Sequence, residues 1–233
     1  MTAQRVLVVD DEPGIRKVLR AYLEREGFAV EEAADGPSAL ARFEGGAAPP
    51  ELVLLDIGIP GVDGLEVLRR VRARSDVYVL LVTARAEEVD RLIGLGVGAD
   101  DYITKPVSPR EVVARAKAVL RRPHSASPEH EGPLAFPGLT IDQQRREVRR
   151  DGREVTLSAL EFDLLAVLAR SPRRVFSRRQ VLEQVWGAHY VGDERVVDVH
   201  IRSLRQRLGD DASEPRYIGT VRGVGYRFLE EQS

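Results

Sequence analysis

The stretch Leu52-Val53-Leu54-Leu55-Asp56 is a short, fully apolar run that ends in one carboxylate. Short apolar runs separated by helical segments predict parallel strands that are buried on both faces of a sheet. Ligands bind outside the carboxyl ends of the strands in such a sheet. Three further runs end in polar residues in the same way: Val6–Val9 before Asp10 and Asp11, Val79–Val82 before Thr83, and Tyr102–Thr104 before Lys105. The sequence therefore predicts that three carboxylates, a hydroxyl and an ammonium meet at one small site.

Residues that typically begin helices lie between these apolar runs, so we expect strands and helices to alternate over residues 1–121. Pro13 and Pro37 lie where the first two helices should begin, because proline suits the first helical turn. Asp63 with Glu66, and Ser108 with Glu111, have the spacing of capping boxes. Five strand–helix units predict a doubly wound α/β domain, a (βα)5 fold with a parallel sheet.

The remainder of the chain divides into a linker and a second domain. Residues 122–132 are rich in proline and small polar residues, which predicts a flexible linker. Residues 133–233 begin with short alternating strands and a hairpin turn at Asp151-Gly152. Three helices follow, the first of them amphipathic, and then a hairpin around Gly223-Val224-Gly225. This order predicts an α+β winged helix-turn-helix domain.

Composition excludes several classes of protein. The chain has 233 residues, a formal net charge of −2 and no cysteine, so a disulfide framework and a cysteine metal site are both excluded. Its longest apolar runs are far shorter than the roughly 20 residues of a membrane span. We expect no signal peptide, because the first residues lead directly into a predicted strand. We expect a cytoplasmic protein that has no membrane partner.

The predicted site in the first domain suits a divalent cation and a phosphoryl group. Mg²⁺ prefers a few carboxylates and waters in octahedral geometry, and Asp10, Asp11 and Asp56 supply carboxylates. An aspartate can also act as a nucleophile that forms an aspartyl phosphate. Asp56 is the best candidate because it ends the central apolar run, while Lys105 and Thr83 would hold phosphoryl oxygens. Taken singly, each residue has an ordinary structural explanation, such as a helix cap for Asp11; the combination at one sheet edge favours the site.

The third helix of the second domain carries arginines at spacings of seven and three. We expect Arg195, Arg202 and Arg205 on one face, where arginine can read guanine in the major groove. Val196, Val199 and Leu204 on the other face are expected in the core. The alternative is a solvated arginine face on an ordinary surface helix, but the wing adds another arginine at its turn. The candidate DNA contacts are Arg195, His200, Arg202, Ser203, Arg205, Thr220 and Arg222.

These motifs together resemble two known domains that cover nearly the whole chain. Residues 1–121 resemble a response-regulator receiver domain, and residues 133–229 resemble the DNA-binding domain of the OmpR/PhoB subfamily. The resemblance is carried by the stretches Val8–Pro13, Leu55–Asp56 with Pro60–Gly64, Leu81–Arg85, Gly98–Pro106, Val197–Arg202 and Thr220–Phe228.

The resemblance implies specific roles in the receiver. Asp56 would accept phosphate from a sensor histidine kinase, and Asp10, Asp11, Asp56 and the carbonyl of Gly58 would hold Mg²⁺. Thr83 and Tyr102 would form the switch pair, and the Lys105–Pro106 peptide would be cis. The family often has a larger side chain at the position of Gly58. We expect metal binding to be retained there, because the ligand is a backbone carbonyl, and loss of phosphate to be faster.

The resemblance also implies a homodimer on phosphorylation, binding to tandem half-sites in double-stranded DNA, and RNA polymerase as a further partner. The expected dimer face comprises the helix before the strand at 102–104, that strand, and the helix after it. An alternative is a pair of solvated helices with internal ion pairs such as Glu111–Arg115. The residues assigned to the dimer face are Arg91, Leu92, Leu95, Asp100, Asp101, Glu111, Val113 and Arg115.

Two other functions compete with a phosphorylation-gated transcription regulator. A free-standing aspartyl phosphatase usually has a second aspartate two residues after the nucleophile, but here that residue is Gly58, and the winged domain would have no purpose. A constitutive DNA-binding protein with a vestigial receiver would lack acidic or lysine residues of the site, and none is missing. We therefore expect a regulator and not an enzyme, although the receiver would catalyse its own phosphoryl acceptance.

Overall fold

The computed structural model describes residues 3–44, 48–84, 98–120, 132–187 and 194–229. The chain divides into two compact units, Met1–Arg121 and Arg122–Ser233, and each is described by itself. The predicted linker at 122–132 lies outside the described residues except for Gly132. Within the described ranges, every helix is too short or too polar to cross a membrane.

The first unit is a parallel five-stranded sheet with helices, which confirms the predicted α/β fold. The strand order is β2-β1-β3-β4-β5, so the chain reverses its direction across the sheet between β1 and β3. The strands are β1 (Arg5–Val9), β2 (Ala29–Ala33), β3 (Leu52–Asp56), β4 (Tyr78–Thr83) and β5 (Asp101–Thr104). The helices are α1 (Pro13–Arg25), α2 (Gly36–Ala41), α3 (Gly64–Arg72) and α4 (Pro109–Leu120). The helix predicted between β4 and β5 lies outside the described residues.

Local sequence explains where these helices begin. Pro13 occupies the first turn of α1, and α4 begins at Pro109, as predicted. The side chain of Asp63 accepts a hydrogen bond from the backbone N–H of Glu66 and so caps α3. Every residue of β3 is buried, because helices cover both faces of a parallel sheet. Strands β1 and β3 pair in parallel with Val9 opposite Leu55, so their carboxyl ends lie side by side.

Among the described residues of the second unit, three helices occur as predicted, together with two small antiparallel sheets, and a short third strand that was not predicted joins the two strands of the wing. Asp151 and Gly152 both have positive φ values, 48° and 78°, as a two-residue hairpin turn requires. One sheet has the order β6-β7-β8-β9 and the other β10-β12-β11. The strands are β6 (Leu134–Phe136), β7 (Leu139–Asp142), β8 (Glu147–Arg150), β9 (Arg153–Glu154), β10 (Phe176–Ser177), β11 (Ile218–Val221) and β12 (Gly225–Phe228). The helices are α5 (Ala159–Ala169), α6 (Arg178–Val185) and α7 (Arg195–Leu208).

The ends of these helices follow their sequence signals closely. Full capping boxes begin α5 at Ser158 and α6 at Ser177. Helix α7 ends at Gly209, which adopts the left-handed conformation that glycine tolerates best. Strands β11 and β12 then pair antiparallel to form the wing, which confirms the winged helix-turn-helix architecture.

Candidate functional site

Three carboxylates converge at the edge of the parallel sheet where β1 and β3 end. Asp10 and Asp11 follow β1, and Asp56 is the last residue of β3. Carboxylate oxygens of the three residues lie within 4.8 Å of one another. Asp10 and Asp56 are buried and Asp11 is exposed, so the cluster opens to solvent on one side. Oxygen donors at this spacing fit a hard divalent cation such as Mg²⁺.

Backbone hydrogen bonds orient the two buried carboxylates. The N–H of Glu12 donates to Oδ1 of Asp10 at 2.8 Å, and the N–H of Gly58 donates to Oδ1 of Asp56 at 3.1 Å. Arg16 donates from Nη1 to the carbonyl oxygen of Asp10 at 2.6 Å, which fixes the backbone just after β1. The side chains are therefore held before any ligand arrives.

The ammonium of Lys105 bridges the same carboxylates. Its Nζ lies 2.8 Å from Oδ2 of Asp56, 3.1 Å from Oδ2 of Asp10 and 3.4 Å from Oε1 of Glu12. Burial alone would lower the pKa of Lys105, but hydrogen bonds to Asp56 and Asp10 outweigh it and raise the pKa. Burial raises the pKa of Asp10, and the Glu12 N–H and Lys105 oppose that rise. Lys105 therefore stays charged at neutral pH.

Thr83 and Tyr102 lie on neighbouring strands beside this cluster. Thr83 ends β4 and is fully buried, while Tyr102 lies in β5 and is partly buried. The N–H of Lys105 donates to the carbonyl oxygen of Thr83 at 2.7 Å, and the Lys105–Pro106 peptide is cis, as predicted. The predicted hydroxyl, ammonium and carboxylates thus belong to one sheet edge.

The loop after Asp56 requires glycine at one position that sequence reasoning did not single out. A Cβ on Gly64 would overlap the carbonyl oxygen of Asp56 and lie 2.7 Å from Cα of Ile57. The N–H of Gly64 donates to the carbonyl oxygen of Ile57 at 3.1 Å. By contrast, a Cβ on Gly58 would meet only Oδ1 of Asp56, at 3.8 Å. The loop is therefore tightly packed at Gly64 and open at Gly58.

Four residues assigned to the dimer face are buried in the first unit, and three of them form ion pairs within it. Asp100 forms an ion pair with Arg72 and accepts from the N–H of Val79 at 2.7 Å. Asp101 pairs with Arg115 at 2.7 Å, and Arg115 also pairs with Glu111 at 2.7 Å. Val113 is buried as well. Arg91, Leu92 and Leu95 lie outside the described residues.

Helix α7 presents only part of the predicted arginine face to solvent. Arg195 and Arg202 are exposed, but Arg205 is buried and donates to the carbonyl oxygen of Ile218 at 2.5 Å and to Oγ1 of Thr220 at 2.8 Å. Arg205 lies ten residues after Arg195, and at about 100° per residue this places it roughly 80° around the helix from Arg195, on the side that contacts the wing. Arg205 therefore lies beside the buried Leu208, so its predicted position on one exposed face with Arg195 and Arg202 was wrong.

Two further predicted contacts are also directed inward. His200 is buried with its ring 5.8 Å from the ring of Trp186, and Ser203 donates a hydrogen bond to the buried Glu161. His200 and Ser203 are therefore buried in this domain, where an exposed position was predicted. Val199, expected in the core, is only partly buried. Arginine and histidine at these positions serve packing, which residue type alone does not distinguish from DNA contact.

The wing carries exposed residues at its turn. Thr220 and Arg222 are exposed, and Gly223 has a φ of 75° that allows the tight turn. Val224 is also exposed, an unusual place for a large apolar side chain. Of the predicted DNA contacts on α7 and the wing, the positively charged side chains exposed to solvent are those of Arg195, Arg202 and Arg222.

Comparisons with known proteins identify both domains. The model of the response regulator receiver domain matches residues 6–117, and the model described as transcriptional regulatory protein, C terminal, matches residues 152–228. Sensory transduction protein RegX3 of Mycolicibacterium smegmatis is 45% identical over 224 residues, which cover 95% of this chain and 97% of that protein. Transcriptional regulatory protein ResD of Bacillus subtilis is 44% identical over 230 residues, with 96% and 95% covered.

A solved structure extends the comparison to the whole fold. Response regulator DrrB of Thermotoga maritima, described as an OmpR/PhoB homologue, is 33% identical with a TM-score of 0.51. The match covers 98% of this chain and 100% of that one. Both domains and their order are thus shared with such proteins.

Proposed function

This chain belongs to the OmpR/PhoB family of two-component response regulators, which regulate transcription, and from that premise we propose that phosphorylation of Asp56 controls its binding to DNA. One observation carries the proposal. The carboxylate of Asp56 lies within 4.8 Å of those of Asp10 and Asp11 and 2.8 Å from the ammonium of Lys105. A nucleophile, a set of oxygen ligands and a fixed cation therefore surround one point.

The chemistry is a phosphoryl transfer to a carboxylate oxygen. An oxygen of Asp56 attacks the phosphorus of a phosphohistidine on the sensor kinase, the P–N bond breaks, and the imidazole leaves. Asp10, Asp11, Asp56 and the carbonyl of Gly58 would hold Mg²⁺, which offsets charge on the phosphoryl oxygens. Lys105 supplies a second positive charge, and the hydroxyl of Thr83 would donate to a phosphoryl oxygen. To donate this bond Thr83 would move towards the phosphoryl group, and Tyr102 on the adjacent strand would change its position in response.

Intact mass spectrometry tests the phosphoacceptor. The full chain incubated with a small acyl phosphate and Mg²⁺ should gain one phosphate, and Asp56→Asn should gain none. Asp63→Asn is the matched control, because Asp63 caps α3 a few residues away, and it should label normally. Full labelling of Asp56→Asn would assign the acceptor to another residue.

The second domain supplies the DNA contacts in this proposal. Arg195 and Arg202 on α7 would enter the major groove, and Arg222 would contact phosphate or the minor groove at the wing. These three contacts are too few for tight binding by one protomer. We therefore expect two protomers on tandem half-sites of double-stranded DNA, about one helical turn apart. In vitro selection of bound duplexes, with and without acyl phosphate, should yield a repeated motif that is enriched more strongly after phosphorylation. Equal enrichment in both states would contradict gating by Asp56.

Dimerisation on phosphorylation remains part of the proposal, with a reduced set of contacts. Glu111 is partly exposed, and Leu92, Leu95 and Arg91 stay candidates from sequence, whereas Asp100, Asp101, Val113 and Arg115 support the fold from within. Sedimentation should show a dimer for the phosphorylated chain and a monomer for Asp56→Asn under the same conditions. A monomer in both cases would rule out the dimer. The proposed partners are a sensor kinase, DNA and RNA polymerase. From these partners we infer that the protein acts in the cytoplasm.

A further inference from the structure

A hydrogen-bonded group joins helix α6 to α7 and the wing, the two elements that would face DNA in the second domain. Oδ1 of Asp198, on α7, accepts from Nε of Arg178 at 2.7 Å and from the phenol of Tyr226 at 2.6 Å. Arg178 is the first residue of α6, and Tyr226 lies in the wing strand β12. The guanidinium of Arg178 also lies over the Tyr226 ring, 5.4 Å from its centroid. One carboxylate thus ties α6, α7 and the wing together.

The other wing strand is held by the same helix. Arg205 donates to Ile218 and Thr220 in β11, and its guanidinium lies 5.8 Å from the Tyr226 ring centroid. Helix α7 therefore contacts both wing strands through ionic or charge-assisted hydrogen bonds. Such bonds are stronger and more directional than neutral ones, so they restrict the angle between the helix and the wing.

Asp198 lies where an unbalanced negative charge would oppose DNA. It is three residues after Arg195 and four before Arg202, so it shares their side of α7. Its side chain is 40% exposed, whereas Tyr226 is buried. Arg178 balances the charge of Asp198, which lets a carboxylate serve as an anchor on a surface meant for a polyanion.

We propose that Arg178, Asp198 and Tyr226 form a wing joint, which holds the wing at a fixed angle to α7 so that Arg222 and Arg202 meet DNA together. This inference rests on the proposed DNA contacts of the domain. The three residues are positioning residues, since they act through Arg222 rather than by reading bases. A fixed wing binds DNA without paying the ordering entropy that a loose wing would incur.

Spin labels attached to two introduced cysteines measure the distance between α7 and the wing. The chain has no cysteine of its own, so only these two positions are labelled. Cysteines introduced at Gln206 on α7 and Val224 on the wing, both exposed, give one labelled pair. Electron–electron double resonance should report a narrow distance distribution, and Tyr226→Phe should broaden it. Tyr217→Phe is the matched control, because that buried phenol donates to Pro137 at 3.2 Å away from the joint. It should leave the distribution unchanged, and an equally narrow distribution in Tyr226→Phe would overturn the proposal.

A double-mutant cycle tests the consequence for DNA. The full chain and its Tyr226→Phe, Arg222→Ala and doubly substituted forms are titrated with a duplex selected by the unmodified protein, at several salt concentrations. Tyr226→Phe should weaken binding about tenfold, as expected for loss of a hydrogen bond to a charged group. Arg222→Ala should then cost little further affinity in the Tyr226→Phe background. Additive losses would contradict the joint.

Two outcomes separate this inference from the proposed function. If Arg222→Ala alone changes neither affinity nor salt slope, the proposed wing contact fails, and the joint is judged by the distance distribution alone. If Tyr226→Phe lowers the thermal midpoint enough to confuse the titrations, Asp198→Ala replaces it, since Asp198 is partly exposed. That substitution should give the same broadening and the same lack of additivity, and a narrow distribution with additive losses would overturn the joint.

Discussion

The ammonium of Lys105 lies between two carboxylates, 2.8 Å from Asp56 Oδ2 and 3.1 Å from Asp10 Oδ2. It therefore offsets the repulsion between residues that end β3 and follow β1. The same charge would oppose a divalent cation bound by those carboxylates. Lys105 thus supports the fold of the site, and under the proposed function it would also compete with the metal and stabilise a phosphoryl group.

Replacing Lys105 with alanine should change metal binding and phosphorylation in opposite directions. Removing one positive charge beside the carboxylates should tighten Mg²⁺ binding by on the order of tenfold, because Coulomb energies between close charges reach about 1 kcal/mol or more. Phosphorylation by acyl phosphate should slow by a similar factor. Calorimetric titration with Mg²⁺ and intact mass measure the two effects. Lys117→Ala, which breaks a surface ion pair with Glu26, is the control, and weaker Mg²⁺ binding by Lys105→Ala would contradict the assignment.

A larger residue at position 58 should lengthen the life of the phosphorylated protein. Gly58 is exposed, and a Cβ there would meet only Oδ1 of Asp56. Gly58→Met should still accept phosphate, because the backbone N–H and carbonyl are retained, but should shield the acyl phosphate from water. We expect loss of phosphate to slow by roughly three- to tenfold, equivalent to about 1 kcal/mol. The decay of the phosphorylated mass over time measures this rate, and a faster decay would show that the open position does not admit water.

Two glycine substitutions in the receiver should have very different effects on stability. Gly64→Ala places a methyl group against the carbonyl of Asp56 and should destabilise by about 1–3 kcal/mol or more, as overpacking does. Gly14→Ala, in α1, meets no atom within 4 Å and should stabilise by up to about 1 kcal/mol through helix propensity. Denaturant unfolding of both variants measures the difference. Equal stabilities would mean that the loop after Asp56 relaxes freely.

Two arginines of α7 should separate into a DNA contact and a structural residue. Arg202 is exposed, so Arg202→Ala should leave the thermal midpoint unchanged, cost about 1–3 kcal/mol in DNA binding and relax specificity at one position. Arg205 is buried against Ile218 and Thr220, so Arg205→Ala should destabilise the domain by about 1–3 kcal/mol. Thermal unfolding and binding to selected duplexes distinguish them. A stable Arg205→Ala that lost specificity at one base would restore Arg205 as a reader.

Tyr226 should make the stability of the protein sensitive to alkaline pH. Burial, together with the hydrogen bond to Asp198, raises the pKa of Tyr226 from 10.0 to about 12. The neutral phenol is therefore favoured in the folded state, so its contribution is fully present below pH 10 and is lost as pH rises towards 12. Unfolding of the full chain across this interval should show a steeper loss of stability than Tyr226→Phe. Absorbance titration of the six tyrosines should show one fewer phenol with a raised pKa in that variant.

Much of the fold could be predicted because its signals are local. The apolar runs that end in Asp56 and Thr83 have the period and length of buried parallel strands, and Ser158 and Ser177 cap helices through residues three positions away. The convergence of Asp10, Asp11, Asp56 and Lys105 followed from topology, since parallel strands share one carboxyl edge. No long-range contact had to be known to place these elements.

The sequence misplaced charged side chains, because their residue type is compatible with an exposed position and also with a buried, paired one. Arg115 and Asp101 looked like a charged surface, but they form an ion pair inside the receiver. Arg205 fitted a DNA-reading face by its spacing, yet it satisfies backbone carbonyls of the wing. A buried charge is tolerated only where partners compensate for lost hydration, and those partners come from distant parts of the chain.

The sequence by itself determined the alternation of strands and helices and the helix caps, because these depend on near neighbours in the chain. It also determined the cluster of polar groups at the end of the sheet, because parallel strands run in the same direction. Only the tertiary structure decided which arginines remain available to DNA and which hold the wing, because that depends on where Glu161, Ile218 and Tyr226 lie around α7. The joint formed by Asp198 with Arg178 and Tyr226 joins residues up to 48 positions apart (178 to 226). Local patterns carry no information about such a meeting, since packing alone brings these side chains together.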